Sequence, residues 1–304
     1  MSHMTRRASC PGCGHPDALK VLELPYDTDP VRTYLIDFYE PQGHVDLSRV
    51  AGESYRLDRC HRCGLVFQRF VPNDEFLMEI YEEWIDPDIA YRADYASRSA
   101  DYYARHAREI EQILRLLGRT VQSTRTLDFG MGWAEWAIMA AAYGCDSAGT
   151  ELSPRRREHA RSRGVRLVDE VAGEQFDCIN AEQVFEHVTN PLLLLSDLKA
   201  ALAPDGIVKI SVPNGWDIDR RLARSDWSAG KDSPHSLNPV APLEHLNCFS
   251  LAAMDAMAAE CGMARIPLPT YAAVRQAPRQ ARLADLGAPA RRAAYRGVVF
   301  RYSP

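Results

Sequence analysis

The chain has 304 residues, enough to bury a large core, and its 46% hydrophobic and 25% charged residues are ordinary for a globular protein. No apolar run approaches the ~20 residues that a membrane-spanning helix needs, and no charged-then-apolar leader opens the sequence. The net charge of −5 and the pI near 6.0 argue against a general nucleic-acid binder. A cytoplasmic location without membrane attachment is therefore expected, and the opening MSHM resembles a cloning remnant that puts the native start at Met4.

In chain order, residues 10–70 come first, with four of the eight cysteines in CPGCG (10–14) and CHRCG (60–64). Two thiolates two residues apart on a tight turn can point at one ion, and the glycine after each pair admits the turn's dihedrals. Cys10, Cys13, Cys60 and Cys63 thus predict a closed structural zinc site, with a rubredoxin-like iron site as the competing reading. His15 and His61 are not expected to be ligands. Cys145, Cys178, Cys248 and Cys261 read as core or interface residues.

Residues 74–118 read as helices; Tyr103, Ala107, Ile110, Leu114 and Leu117 recur at helical spacing and Gly118 follows as a stop. From 124 onward strands and helices alternate, which predicts an α/β layer with a largely parallel sheet. Strands are expected at Thr124–Phe129, Asp146–Glu151, Phe176–Ala181 and Ile207–Val212, a weaker one at Val165–Val168, and a last one at 297–302. Helices fall at about 134–143, 154–163, 191–203 and 250–261. Residues 213–247 form a long insertion of the kind that makes lids or binding loops. Residues 276–304 carry six arginines against Asp285 and read as a solvated segment, with an anionic-partner surface as the alternative.

The chemistry-bearing stretch is TLDFGMGWAEWA (126–137). Gly130 and Gly132 leave backbone bare where a strand turns into a helix, as close approach to a ligand requires. Position 134 is alanine and 135 is glutamate, so the pattern departs from GxGxxG and no pyrophosphate site is implied. Glu151 closes the second strand, where an acid can accept both ribose hydroxyls of an adenosine. Asp128 reads as a structural acid that anchors the turn.

With GTELS, FDCINAEQVFEHVTNP, LAPDGIVKISVPN and the later HLNCFS, this stretch resembles the class I S-adenosylmethionine-dependent methyltransferases, in particular their ubiquinone-type small-molecule branch. The resemblance covers roughly residues 120–265. It implies a Rossmann-like seven-stranded sheet with helices on both faces. Three regions follow: a four-cysteine zinc-binding module at 4–72, a helical linker at 73–120, and a methyltransferase domain at 121–304 that contains the insertion. The resemblance places Asp128, Gly130, Met131, Gly132, Glu151, Leu152, Asp169 and Gln183 at the cofactor, with Glu151 on the ribose and Leu152 against the adenine.

Methylation of a hydroxyl needs a base, and a histidine near neutral pKa fits. His187, after the fourth strand, and His245, at the end of the insertion, are the candidates, with loop-fixing and helix-capping as their bland alternatives. The segment NAEQVF lacks the Asn/Asp-Pro-Pro-aromatic stretch of exocyclic-amine methylation, and Cys178 lies inside a strand rather than in a loop. Trp216, Trp227 and Phe249 suit a small, partly apolar substrate. The expected activity is methyl transfer to a small molecule, foremost O-methylation of a sugar, carboxylate or secondary metabolite. The alternatives are an RNA methyltransferase whose zinc module grips nucleic acid, a nucleotide-sugar C-methyltransferase, and a non-enzymatic protein that retains the cofactor pocket.

Overall fold

The computed structural model describes residues 3–231, 233–266 and 296–302. The elements are β1 (Met4–Arg6), β2 (Ala18–Pro25), α1 (Val31–Tyr39), β3 (Ser54–Cys60), β4 (Val66–Gln68), β5 (Phe70–Pro72), α2 (Asp74–Glu79), a π-helical turn at Ile80–Trp84, α3 (Pro87–Ser97) and α4 (Ala100–Leu117). There follow β6 (Arg125–Phe129), α5 (Glu135–Tyr143), β7 (Asp146–Thr150), α6 (Pro154–Ser162), β8 (Arg166–Leu167), β9 (Phe176–Glu182), α7 (Pro191–Ala200), β10 (Leu202–Val212), α8 (Ile218–Arg224), β11 (Asn247–Cys248), α9 (Leu251–Glu260), β12 (Met263–Ile266) and β13 (Arg296–Tyr302). Most of the arginine-rich end lies outside the described residues.

Seven strands form one sheet in the order β12-β13-β10-β9-β6-β7-β8. Neighbours from β10 to β8 run parallel, whereas β13 is antiparallel to both β10 and β12. Alternation along the strands explains the layers, because successive side chains point to opposite faces. Cys178, Ile207 and Val299 join Ile110 and Ile113 of α4 and Trp136 and Ala140 of α5 in one core. Their neighbours Ile179, Val208 and Phe300 join Leu195 and Leu198 of α7 and Met254 and Met257 of α9 in another. Helix ends follow the sequence signals: Ser99 accepts from Tyr102 N at the start of α4, Gly118 ends it in the left-handed region, and Ser250 accepts from Ala253 N at the start of α9.

The N-terminal region builds a second sheet, in the order β11-β4-β3-β2. Its edge strand β11 comes from the far end of the insertion and pairs Asn247 with Phe67 and Cys248 with Val66. Tyr26, Tyr39, Tyr55, Phe76 and Trp84 pack in one core with Ile218, Leu237, Val240 and Leu243 of the insertion. The insertion is therefore bonded into the N-terminal region rather than standing free over the main sheet. Trp227, expected to face a substrate, lies edge-on to Tyr34 and Tyr55 at centroid separations of 5.8 and 6.1 Å. Its ring serves that core, a packing role that the sequence alone does not distinguish from a binding role.

Candidate functional site

The carboxyl edge of the sheet starts from the turn after β6. Gly130 and Gly132 have φ of 64° and 53°, a region that only glycine occupies without strain. A Cβ at Gly132 would meet nothing within 4 Å, so the turn borders open space, whereas one at Gly130 would come within 2.8 Å of Val184 Cγ2. The latter contact seats the turn directly against the loop that follows β9. Gly130 N donates to Thr150 Oγ1 and Met131 N to Thr150 O. Ala134, in place of the usual third glycine, also sits in the left-handed region at φ 63°.

The other expected cofactor residues differ in character. Asp128 is buried and accepts from Asn180 Nδ2 at 2.7 Å; burial pushes its carboxyl up to about 7, and Asn180 resists the shift. Glu151 Oε1 accepts from Leu152 N and Ser153 N at 2.8 and 3.0 Å, which fixes the carboxylate at the end of β7. Leu152 is 82% exposed, an apolar side chain held out beside the turn. Asp169 is exposed and paired with Arg157. Gln183 has φ of 58° and donates its backbone N–H to Ser211 O. The turn, Glu151 and Leu152 thus share one edge, and Asp169 follows β8 on its far side.

The two candidate histidines meet. Their ring centroids are 4.8 Å apart, although 57 residues lie between them in the chain. His187 Nδ1 lies 3.0 Å from Glu244 O and 3.1 Å from Tyr81 Oη, and His245 Nδ1 contacts Asn238 O. A backbone carbonyl can only accept, so each Nδ1 carries its hydrogen and each Nε2 is left as the unprotonated nitrogen. Burial holds both imidazoles neutral, pulling His187 down to about 3 and His245 to about 4. This lies well below the near-neutral value expected of a histidine base. Ser250 caps α9 with its own hydroxyl, so His245 is not that helix's cap.

Residues besides the two histidines complete the cluster. Glu186 is fully buried, and neither carboxylate oxygen has a hydrogen-bond partner among the described residues. Burial raises its carboxyl well above the usual range, and Oε1 lies 3.8 Å from His187 Nε2. Tyr81 enters from the π-helical turn and Glu244 from the insertion. Only the pairing of Glu186 with His187 is visible in FEHV; the other contacts are long-range. Trp216 and Phe249 line a cavity of about 220 Å³ with Val212, Asn214 and Met254, and neither histidine is among its lining residues.

The thiols of Cys10, Cys13, Cys60 and Cys63 are buried and lie within 4.8 Å of one another, with Sγ···Sγ of 3.6 Å for Cys10–Cys63 and Cys13–Cys60. His15 and His61 lie outside this group. The knuckles pack against the main sheet's helices, sharing a core with Leu195, Phe249 and Met254. No helix among the described residues is long and apolar enough to cross a membrane.

Comparisons with known proteins agree with this architecture. A methyltransferase-domain family model matches residues 100–266, more than half of the chain. The ubiquinone biosynthesis O-methyltransferase of Dinoroseobacter shibae is 31% identical over an alignment of 152 residues that covers 43% of this chain and 59% of that protein. Its counterpart in Cereibacter sphaeroides is 31% identical over 105 residues, 31% of this chain and 42% of that one. The chain therefore spans about half the length of the curated relatives it matches. Among solved structures, a plantazolicin methyltransferase in complex with a triazolic desmethylPZN analogue and SAH superposes with a TM-score of 0.51 at 14% identity, covering 75% of this chain and 95% of that one. With the matched family model, the seven-stranded order and the glycine turn at the sheet's edge, the chain belongs to the class I S-adenosylmethionine-dependent methyltransferases.

Proposed function

We propose that the chain methylates a small-molecule acceptor at oxygen, the acceptor being a sugar, carboxylate or secondary metabolite. The observation that carries this reading is one juxtaposition. The loop that bears Glu186 and His187 packs on the glycine turn through Val184, and His245 stands against His187. S-adenosylmethionine, when bound, supplies an electrophilic methyl carbon on a sulfonium.

The chain's own residues account for the rest. Gly130, Met131 and Gly132 offer bare backbone beside open space. The Glu151 carboxylate, oriented by two amides, is suited to two ribose hydroxyls. Leu152 offers an apolar surface to the adenine, while Asp128 shapes the turn from beneath. Asp169 and Gln183 remain candidates for the adenine side and the sheet side. A hydroxyl acceptor gives up its proton as the new C–O bond forms, and an unprotonated imidazole Nε2 can take it. On His187 that nitrogen lies 3.8 Å from Glu186 Oε1, so a proton taken up there arrives beside a carboxyl. Alignment of acceptor and methyl supplies much of the remaining acceleration.

The four thiols support a structural zinc. A tetrahedron with Zn–S near 2.3 Å has S···S edges of ~3.8 Å, close to the 3.6 Å of the two pairs. Four thiolates leave no open position, so the metal would hold the fold rather than the substrate. Elemental analysis should then return about one zinc per chain, and Cys60→Ser should release it; metal-free native protein with four reactive thiols sinks this reading.

Net negative charge and the missing base-binding motif point away from nucleic acid. The test of the activity is transfer of label from S-adenosylmethionine into an extract of the producing organism. Label in the small-molecule fraction is expected, and label confined to RNA would replace this reading with the nucleic-acid one.

A further inference from the structure

Arg7 is buried, three residues ahead of the first cysteine, and it has no carboxylate partner among the described residues. Its guanidinium instead donates to four backbone carbonyls. Nη1 reaches Gln68 O at 3.3 Å and Leu246 O at 3.1 Å; Nη2 reaches Val188 O at 3.2 Å and Thr189 O at 2.7 Å. A buried cation whose described partners are all carbonyls, and whose Nε has none among the described residues, is costly to desolvate, and burial draws its pKa down to about 9. A hydrophobic side chain would fill the same space without that cost, so the fork geometry needs a reason.

The reason lies in what the four carbonyls flank. Val188 and Thr189 directly follow His187, and Leu246 directly follows His245. Asn247 ties the same two segments from the other side: its N–H donates to Glu186 O at 3.0 Å, and its Nδ2 to Phe185 O and Val188 O at 2.9 and 2.7 Å. Gln68, the third anchor, belongs to β4 and itself donates to Ala241 O and His245 O. One planar fork therefore joins the loop after β9, the end of the insertion and the N-terminal sheet, with two donors on each side.

We propose that Arg7 is a positioning residue for the histidine pair: by bridging Val188 O and Thr189 O to Leu246 O it sets how His187 and His245 face one another. The proposal rests on the reading that this pair faces the acceptor. A lysine at position 7 keeps the charge but lacks the fixed fork, and a methionine keeps most of the volume without donors.

The test uses the full chain with labelled histidine, in the wild type and in Arg7→Met and Arg7→Lys. Side-chain nitrogen–proton correlation spectra should show His187 and His245 each as one neutral tautomer with Nδ1 protonated in the wild type. In Arg7→Met that single pattern should be lost for both rings, with Arg7→Lys restoring it in part. S-adenosylmethionine affinity by calorimetry and metal content should stay unchanged. Label transfer into the extract should fall roughly 10²-fold, the scale expected for ~1 Å misplacement of a catalytic group. Wild-type imidazole spectra in a folded Arg7→Met overturn the proposal, because a merely structural arginine would lower stability without altering the tautomers. If Arg7→Met does not fold, Arg7→Lys decides by the same spectra. His187→Gln tests the underlying reading separately: undiminished transfer in that variant shows that the pair does not face the acceptor, while the spectra still decide whether Arg7 positions it.

Discussion

Two buried polar clusters hang from the carboxyl end of β9, four residues apart, and they are built on opposite terms. Glu182 ends the strand between two cations, Arg105 Nη1 at 2.8 Å and Lys209 Nζ at 3.4 Å, with His106 Nδ1 at 3.8 Å. Burial alone would raise its pKa; Lys209, then His106 and Arg105, override that and hold it at about 2. His106, Glu109 and Glu182 bring ligand-type atoms within 4.8 Å of one another, yet the Lys209 ammonium already bonds both carboxylates. Among the described residues Glu186 has both oxygens unpartnered, and its carboxyl is pushed up by burial. Compensated charge fastens α4 to the sheet. Uncompensated polar groups beside a ligand edge are where a protein keeps chemistry, because nothing in the fold rewards leaving them unpaired.

The sharpest break of this contrast is kinetic. His187→Ala should lower the rate constant for label transfer roughly 10²–10⁴-fold, the usual contribution of proton transfer, with S-adenosylmethionine affinity unchanged by calorimetry. The pH dependence has a definite sign. Both imidazoles are less basic folded than the ordinary 6.5, at about 3 and 4. The rate should thus be level from pH 6 upward rather than rising through neutrality. The unfolded chain binds the extra protons, so stability is complete above about 6.5 and is lost as pH falls toward about 4 and then 3. Thermal melts of the wild type and His187→Ala across that window check this; an identical acid dependence in the two proteins would show that His187 is not the group concerned.

On the compensated side, Lys209→Met should leave two carboxylates facing each other without their buried cation. Removing one partner of a buried pair costs about 3–5 kcal/mol, and the loss should appear in chemical denaturation with the melting temperature lowered. A variant with unchanged stability would mean that Glu182 and Glu109 are satisfied by solvent, and the two clusters would no longer be opposites.

A third, smaller effect belongs to the cofactor edge. Glu151→Ala should weaken S-adenosylmethionine binding by about 1.5–3 kcal/mol, the range for hydrogen bonds to a charged group. Its carboxylate already holds Leu152 N and Ser153 N, so some of that loss should come from a loosened turn. A double variant with Leu152→Ala should therefore be less than additive. Calorimetry giving wild-type affinity would remove Glu151 from the site.

These regions also differ in how far sequence reasoning could reach them. The glycine turn, Glu151 and the strands around them are contiguous, and their signals (bare backbone, a terminal acid, a β-branched run) are local. The observed β6, β7 and β9 lie within a residue of the expected strands. Lys209, by contrast, stands in the apolar run GIVKISV, and its partner Glu109 is 100 residues earlier on α4. His187 and His245 are candidates separately, but nothing in either segment tells that the rings touch. The insertion is the plainest case. Its contribution to the N-terminal sheet is a strand of two residues, too short for any periodicity, and its Trp227 enters a core assembled from Tyr34 and Tyr55. Local patterns announce elements, while long-range partners decide what those elements serve.

The smallest predicted stability effect is the one that separates the two clusters most cleanly. Glu186→Gln keeps the shape and removes the ionisable proton, and no hydrogen bond to a described partner is lost with it. Because burial favours the protonated carboxyl, the amide is a close match to it in shape and charge. The change in unfolding free energy should stay within about 1 kcal/mol in either direction, against the several expected for Lys209→Met. The transfer rate should nevertheless fall, because an amide 3.8 Å from the proton-accepting nitrogen cannot exchange a proton with it as a carboxyl can. The sign with pH follows from the raised carboxyl: folding favours its protonated form, so the wild type should lose stability as pH rises above about 4.5, and Glu186→Gln should not. Denaturation curves of the two proteins at pH 5 and pH 8 read this directly. Should Glu186→Gln be as damaging as Lys209→Met, Glu186 would be a compensated structural acid like Glu182, and the cluster beside His187 would belong to the scaffold.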